Sequence, residues 1–166
     1  MQTIIAFKAN GKITFVSNGN VGSDNYKIAD TTCNIGVGKN KMVVVSDGSL
    51  LEVNITDDIA LNLDKRCQKL TKDFVIDHII PVIYDTLNTS GLIKHDNNGM
   101  LDITASFLVG YKDKLFYITN MFDVYEIEDF FVVGQYQKVL SYAINYIDDT
   151  CYVVDTKSLK ISKERV

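Results

Sequence analysis

One helical block interrupts a chain otherwise written in short β-type runs, and it limits the architectures open to the chain. Between Thr71 and Gly91, Val75, Ile79, Val82 and Ile83 keep helical spacing, while Ile76, Ile80 and Leu87 widen the apolar face. Thr71 is placed to cap this helix, and Asn88 to Gly91 end it. Pro81, the only proline, is expected to kink it. So broad an apolar surface predicts burial on more than one side. A helix just upstream is expected to start with Thr56 as N-cap, carry Asp57 and Asp58 in its first turn, and run to about Lys69.

The flanks are strand-like. Thr3 to Phe7 and Lys12 to Ser17 form a hairpin across Asn10-Gly11, a pair that tolerates positive φ. Asn18-Gly19-Asn20 and Gly22 to Asn25 break the pattern, and Ile35 to Val37 is ambiguous. Met42 to Val45 is a buried-strand run that turns at Asp47-Gly48. Beyond it, Leu50 to Ile55 reads either as a returning strand or as the start of a helix. After the helical block come Thr104 to Tyr111, a turn at Lys112 to Lys114, then Leu115 to Thr119, Val124 to Ile127 and Phe130 to Val133. Tyr136, Val139, Leu140, Ala143, Ile144 and Ile147 predict an amphipathic helix, and Cys151 to Val154 and Lys157 to Ile161 close the chain as strands. Strands, two helices, strands, one helix and final strands suit two sheets between helical layers, although other α+β sandwiches fit the pattern about as well. With 166 residues, the expectation is one domain over 1–166.

Composition narrows the function classes. A net charge of -4 gives no overall basic balance for phosphate backbones, so no nucleic-acid partner is expected. Cys33, Cys67 and Cys151 form no CxxC pair, which fits a reducing, cytoplasmic setting. His78 and His95 have no metal-ligand spacing. No metal or cofactor is expected. No signal-peptide layout and no apolar run of about 20 residues occur, so no membrane partner is expected.

Several segments resemble one family. Thr3-Ile4-Ile5-Ala6-Phe7-Lys8-Ala9-Asn10-Gly11-Lys12-Ile13 is similar to the opening hairpin of proteasome β subunits and of the bacterial proteasome-like peptidase. Lys41 to Gly48 resembles the strand leading to that family's glycine-rich oxyanion loop. Phe107 to Tyr111 with Lys114 to Ile118, Phe131 to Gly134, and Ile147 to Val154 resemble its later hairpin, its strand-turn-helix and its last helix-to-strand step. The resemblance implies an N-terminal nucleophile hydrolase fold, a four-layer αββα sandwich, assembled into rings.

It also implies a chemistry, and the residues depart from it. Such a site needs one terminal residue bearing both a hydroxyl nucleophile and a free amine, with a lysine, an aspartate and a serine in support and backbone N–H groups at the oxyanion. Gln2 falls at the nucleophile position and has no hydroxyl; Thr3, one place later, serves only if Met1 and Gln2 are removed. Asn18 replaces the aspartate and Gln135 the serine. The lysine position falls near Thr31, Thr32 or Cys33, with Lys27 reachable only by a register shift. Gly48 alone keeps its place, where it also reads as a simple turn glycine. Cys33 is a second candidate nucleophile, but no base partner is evident.

The expectation is therefore a proteasome-like protein without threonine-protease activity, acting as a binding or assembly module. It would form a homo-oligomer, ring-shaped if the resemblance holds, through the central helices with Phe74, Ile76, Ile80 and Ile83, and would take a protein or peptide partner. The rival expectation is an active threonine-type peptidase working with an unfoldase.

Overall fold

The computed structural model describes residues 3–17, 20–23, 26–30, 34–63, 67–133 and 150–165. The opening hairpin is as expected. Strands β1 (Ile4–Ala9) and β2 (Lys12–Ser17) pair in antiparallel register across Asn10 and Gly11, whose φ values of 53° and 70° are those of a mirror-image hairpin turn. The segment read as pattern-breaking forms a small hairpin instead, β3 (Asn20–Ser23) with β4 (Tyr26–Asp30). Next come β5 (Ile35–Val37), β6 (Val43–Asp47), β7 (Ser106–Tyr111), β8 (Lys114–Ile118), β9 (Val124–Ile127), β10 (Phe130–Val133), β11 (Thr150–Asp155) and β12 (Ser162–Arg165).

Two five-stranded antiparallel sheets result. The first runs β10-β1-β2-β11-β12 and the second β5-β6-β7-β8-β9. Between them lies a core of Ile4, Ala6, Ile13 and Phe15 from the first sheet against Ile35, Val43, Val45, Leu108 and Leu115 from the second. A Cβ on Gly110 would stand 2.7 Å from the Phe15 ring, so only glycine lets that ring seat between the sheets. The other face of the second sheet, with Val44, Phe107, Val109, Phe116 and Ile118, packs under the helices. Burial on both faces explains why β6 reads as a continuous apolar run. Three layers are thus described: sheet, sheet, helices. The helix expected over Tyr136 to Ile147 falls outside the described residues.

The helices are α1 (Leu50–Val53), α2 (Thr56–Asn62), α3 (Lys72–Phe74), a π-helical turn (Val75–Ile79) and α4 (Ile80–Thr89). Leu50 to Ile55 is therefore not a returning strand. Ser49 caps α1, and Glu52 bonds back to the Ser49 N–H, a reciprocal box that fixes a helix start. Thr56 is not an N-cap but the first helical residue of α2, its hydroxyl donating to the Val53 carbonyl at 2.7 Å. That helix stops at Asn62, short of Lys69.

Thr71 does cap the next helix, accepting from the Phe74 N–H at 3.2 Å. Thr71→Ala should cost about 1 kcal/mol, read from the urea midpoint. Pro81 has no N–H to offer an α-helical ladder, and the wider π-turn immediately precedes it. Within the chain this helix buries one stripe, Val75, Ile79, Ile83 and Leu87, rather than several sides. Ile76 and Tyr84 remain 45% and 37% exposed. Lys157 to Ile161 is not a strand: the Asp155 carboxylate accepts from the Lys157 N–H, which turns the chain and delays β12 to Ser162.

Candidate functional site

At one end of the space between the sheets the apolar core gives way to polar groups. Ile4 pairs with Ser17, so the start of β1 and the end of β2 share that edge. Asn34, just before β5, accepts the Ser46 N–H on its carbonyl at 2.9 Å. Its side chain crosses to the other sheet, Nδ2 donating to Ser17 Oγ at 2.9 Å. Asn34 and Ser17 are both fully buried. The Asn34 Oδ1 has no hydrogen-bond partner, which is costly in a protein interior.

Alternation along β6 sorts its polar end. Val43 and Val45 face the first sheet, Val44 faces the helices, and Asp47 follows the parity of Val43 and Val45. Ser46 has the helical parity and meets Thr56, their hydroxyl oxygens 2.5 Å apart. Because the Thr56 proton goes to Val53, Ser46 is the donor of that pair. Asp47 pairs across to the buried Ser106 of β7, and both belong to the inter-sheet face. Burial pushes the Asp47 carboxyl up to about 6, and the Gly48 N–H against it offsets only part of that rise. Among the described residues, no cation pairs with Asp47.

Gly48 is more than a turn glycine. Its φ lies outside the left-handed region, so conformation does not demand it. Space does: a Cβ there would fall 2.8 Å from Ala105 Cα and 2.9 Å from Glu52 Oε2. Beneath it, the buried Glu52 carboxylate ties two loops together. Oε2 accepts from the Ser49 N–H at 2.9 Å, Oε1 from the Thr104 N–H at 2.9 Å, and the Thr104 hydroxyl also donates to Oε2. Burial pushes the Glu52 carboxyl up, but the hydrogen bonds from Thr104 and Ser49 together outweigh it and hold the group below its ordinary value.

Of the candidate catalytic and binding residues singled out from the sequence, the structure describes Gly48 and Thr3. Gly48 lies at the polar end just described. Thr3 is buried, at 6% exposure, immediately before β1. Strand alternation groups Thr3 with Ile5 and Phe7, on the face opposite Ile4 and Ala6, and so away from the inter-sheet space. Gln2, Asn18, Thr31, Thr32, Cys33 and Gln135 lie outside the described residues, as does the Lys27 side chain. His78 and His95 are exposed on separate elements, and among the described residues no His, Cys, Asp or Glu cluster could hold a metal ion. Likewise, no described helix is long and apolar enough to cross a membrane.

Sequence reasoning missed Ser17, Asn34, Asp47 and Glu52. For Glu52 a signal existed in Ser49-Leu50-Leu51-Glu52, the spacing of a capping box. For Asp47 the signal was its parity with Val43 and Val45. Asn34 carried none, since its burial depends on how the sheets dock.

No protein-family model matches the chain, and no curated protein matches it. Solved structures do. Anbu (ancestral beta-subunit) from Yersinia bercovieri superposes with a TM-score of 0.59 at 14% identity, over 97% of this chain and 86% of that one. Anbu from Hyphomicrobium sp. strain MC1 gives 0.57 at 13%, over 99% and 87%. BPH from Thiobacillus denitrificans, also solved in complex with epoxomicin, gives 0.59 at 16%, over 85% and 77%. Identities this low carry the fold and nothing more. The chain is α+β with two five-stranded antiparallel sheets, and it shares the fold of these solved structures. The expected membership, as a divergent proteasome β subunit or bacterial proteasome-like peptidase, is corrected: no family model supports it, and the structural likeness is to Anbu and BPH. The physical reason is that the segments behind it are generic hairpin and strand-turn patterns, which many sequences satisfy.

Proposed function

We propose that the chain is a non-catalytic subunit on the Anbu-like fold, a binding or assembly module that associates with copies of itself. In this reading it is one domain over 1–166 with four αββα layers, and it works in the cytoplasm. The observation that carries it is at Gly48. The Asp47 carboxylate, on the inter-sheet face and partly withdrawn from water, directly precedes the glycine whose backbone an amide hydrolase of this architecture would turn toward an oxyanion. An anion there opposes the charge that develops in amide cleavage. Three further features support the reading. Thr3 is a buried strand residue of the opposite parity; Gln2, Asn18 and Gln135 supply no hydroxyl nucleophile, acid or base; and Ile76 and Tyr84 leave apolar surface for a helix-mediated contact.

The rival, a threonine-type peptidase, requires a chain trimmed to begin at Thr3. The purified protein should show an intact mass that retains Gln2, no turnover of fluorogenic peptides and no mass adduct with epoxomicin, the compound bound by the BPH structure. Light scattering should show an oligomer. A species starting at Thr3, with turnover abolished by Thr3→Ala, would establish the rival instead. A strict monomer at micromolar concentration would remove the assembly half of the proposal.

A further inference from the structure

A second polar feature lies outside the inter-sheet space. Between α4 and β7 the chain folds back on itself as a short antiparallel ribbon. His95 and Leu101 pair, and the Asp102 N–H donates to the Lys94 carbonyl at 2.8 Å. Lys94 and Asp102 therefore stand opposite one another, on the ribbon face away from His95 and Leu101. Facing residues of opposite charge are placed to form an ion pair, yet among the described residues neither has one. Both side chains instead line a cavity of about 180 Å³ beside α1. Leu51 of α1 and Leu92 supply its apolar lining. Leu51 is 66% exposed, so an uncovered aliphatic group stands near the two charges. Glu52 lines the cavity too, with its oxygens already taken by the Ser49 and Thr104 donors. It adds negative charge there rather than a free acceptor.

These groups select a guest by elimination. The volume falls below the roughly 300 to 1,000 Å³ that holds a drug-sized ligand, so the guest is small. A simple anion would meet Lys94 but be opposed by Asp102 and Glu52. A simple cation would meet Asp102 and be opposed by Lys94. A neutral apolar molecule would cover the leucines and gain nothing from either charge. A zwitterion matches both charges at once. An α-amino acid carries its ammonium and carboxylate on one carbon, close enough together to meet two side chains that face each other across a ribbon about 5 Å wide. Its own aliphatic side chain then covers Leu51 and Leu92 and removes apolar area from water. We infer that the cavity between α1 and the ribbon carrying Lys94 and Asp102 binds a free α-amino acid with an aliphatic side chain. Its carboxylate meets Lys94 and its ammonium meets Asp102. The cavity uses neither Gly48 nor Asp47, so the inference stands apart from the non-catalytic reading.

The test is calorimetric titration of the full chain at neutral pH with L-leucine, N-acetylleucine, leucinamide and glycine. Saturable binding of L-leucine is expected. Each of the other three lacks one feature, and each should bind about threefold to tenfold more weakly. Lys94→Gln should weaken L-leucine by a similar factor and leave leucinamide unaffected, because that probe has no carboxylate to lose a partner. Asp102→Asn should weaken L-leucine and leave N-acetylleucine unaffected for the matching reason. Leu51→Ser should weaken L-leucine but not glycine. All three positions are exposed, so the variants should keep the wild-type urea midpoint. Absence of saturable L-leucine binding at millimolar concentration would overturn the inference. So would equal affinity for L-leucine and both capped forms, a comparison that needs no variant, or undiminished affinity in both Lys94→Gln and Asp102→Asn.

Discussion

Glu52→Ala is expected to lower the stability of the fold by about 3 to 4 kcal/mol, the largest single-residue loss anticipated around the polar end. The carboxylate serves three donors at once: the Ser49 N–H, the Thr104 N–H and the Thr104 hydroxyl. Alanine leaves all three to find water in a region that largely excludes it. Hydrogen bonds to an ionised acceptor contribute about 1.5 to 3 kcal/mol each, and Ser49 is exposed enough for water to return part of its share. Glu52→Gln keeps the shape and one acceptor, so about half the loss should remain. The sign with pH follows from the lowered carboxyl. The stabilisation is complete above the unfolded-state glutamate range and disappears as pH falls through the folded-state value. Urea unfolding of wild type and variant should therefore diverge at neutral pH and converge in acid. Equal midpoints at neutral pH would mean that the clamp does not hold the Gly48 loop.

Such a clamp was within reach of the sequence, and its neighbours show where legibility stops. Local signals were reliable. Asn10-Gly11 specified a hairpin because few residue pairs accept two positive φ values, and Thr71 marked a helix start because its hydroxyl reaches the Phe74 N–H three residues on. The Ser49-to-Glu52 box was just as local, yet the apolar content of Leu50 to Ile55 also suited a strand. The capping pair, not the hydrophobic pattern, separated the two readings. The π-turn before Pro81 was hidden because Val75, Ile76, Ile79 and Ile80 offer apolar residues to α and π spacing alike.

The polar end was hidden for a different reason. Its defining contact joins Asn34 to Ser17 across two sheets, and no local rule ranks one asparagine above another for such a role. Asp47 next to Gly48 looked like an ordinary turn pair. The valines at 43 and 45 already placed its side chain toward the inter-sheet space, but only docking of the first sheet half-buries that position. Hence the hairpin and the main helix were readable, while the charged feature of the site required tertiary structure.

Asp47→Asn should, against the usual direction of point substitutions, make the protein more stable at neutral and higher pH. Burial holds the folded-state carboxyl near 6, against an ordinary value of 3.8. A raised carboxyl means that the folded state prefers the protonated form. Stability is therefore greatest below the ordinary value and is lost as pH climbs from about 4 through about 6. Two units of displacement correspond to at most about 3 kcal/mol once both states are ionised, less whatever water reaches the group. Asparagine removes the charge and keeps the volume. Near pH 8 the variant should gain about 1 to 3 kcal/mol over wild type, while below about pH 4 the two should coincide. An unchanged or lowered urea midpoint near pH 8 would mean that Asp47 has a counter-charge in the folded protein.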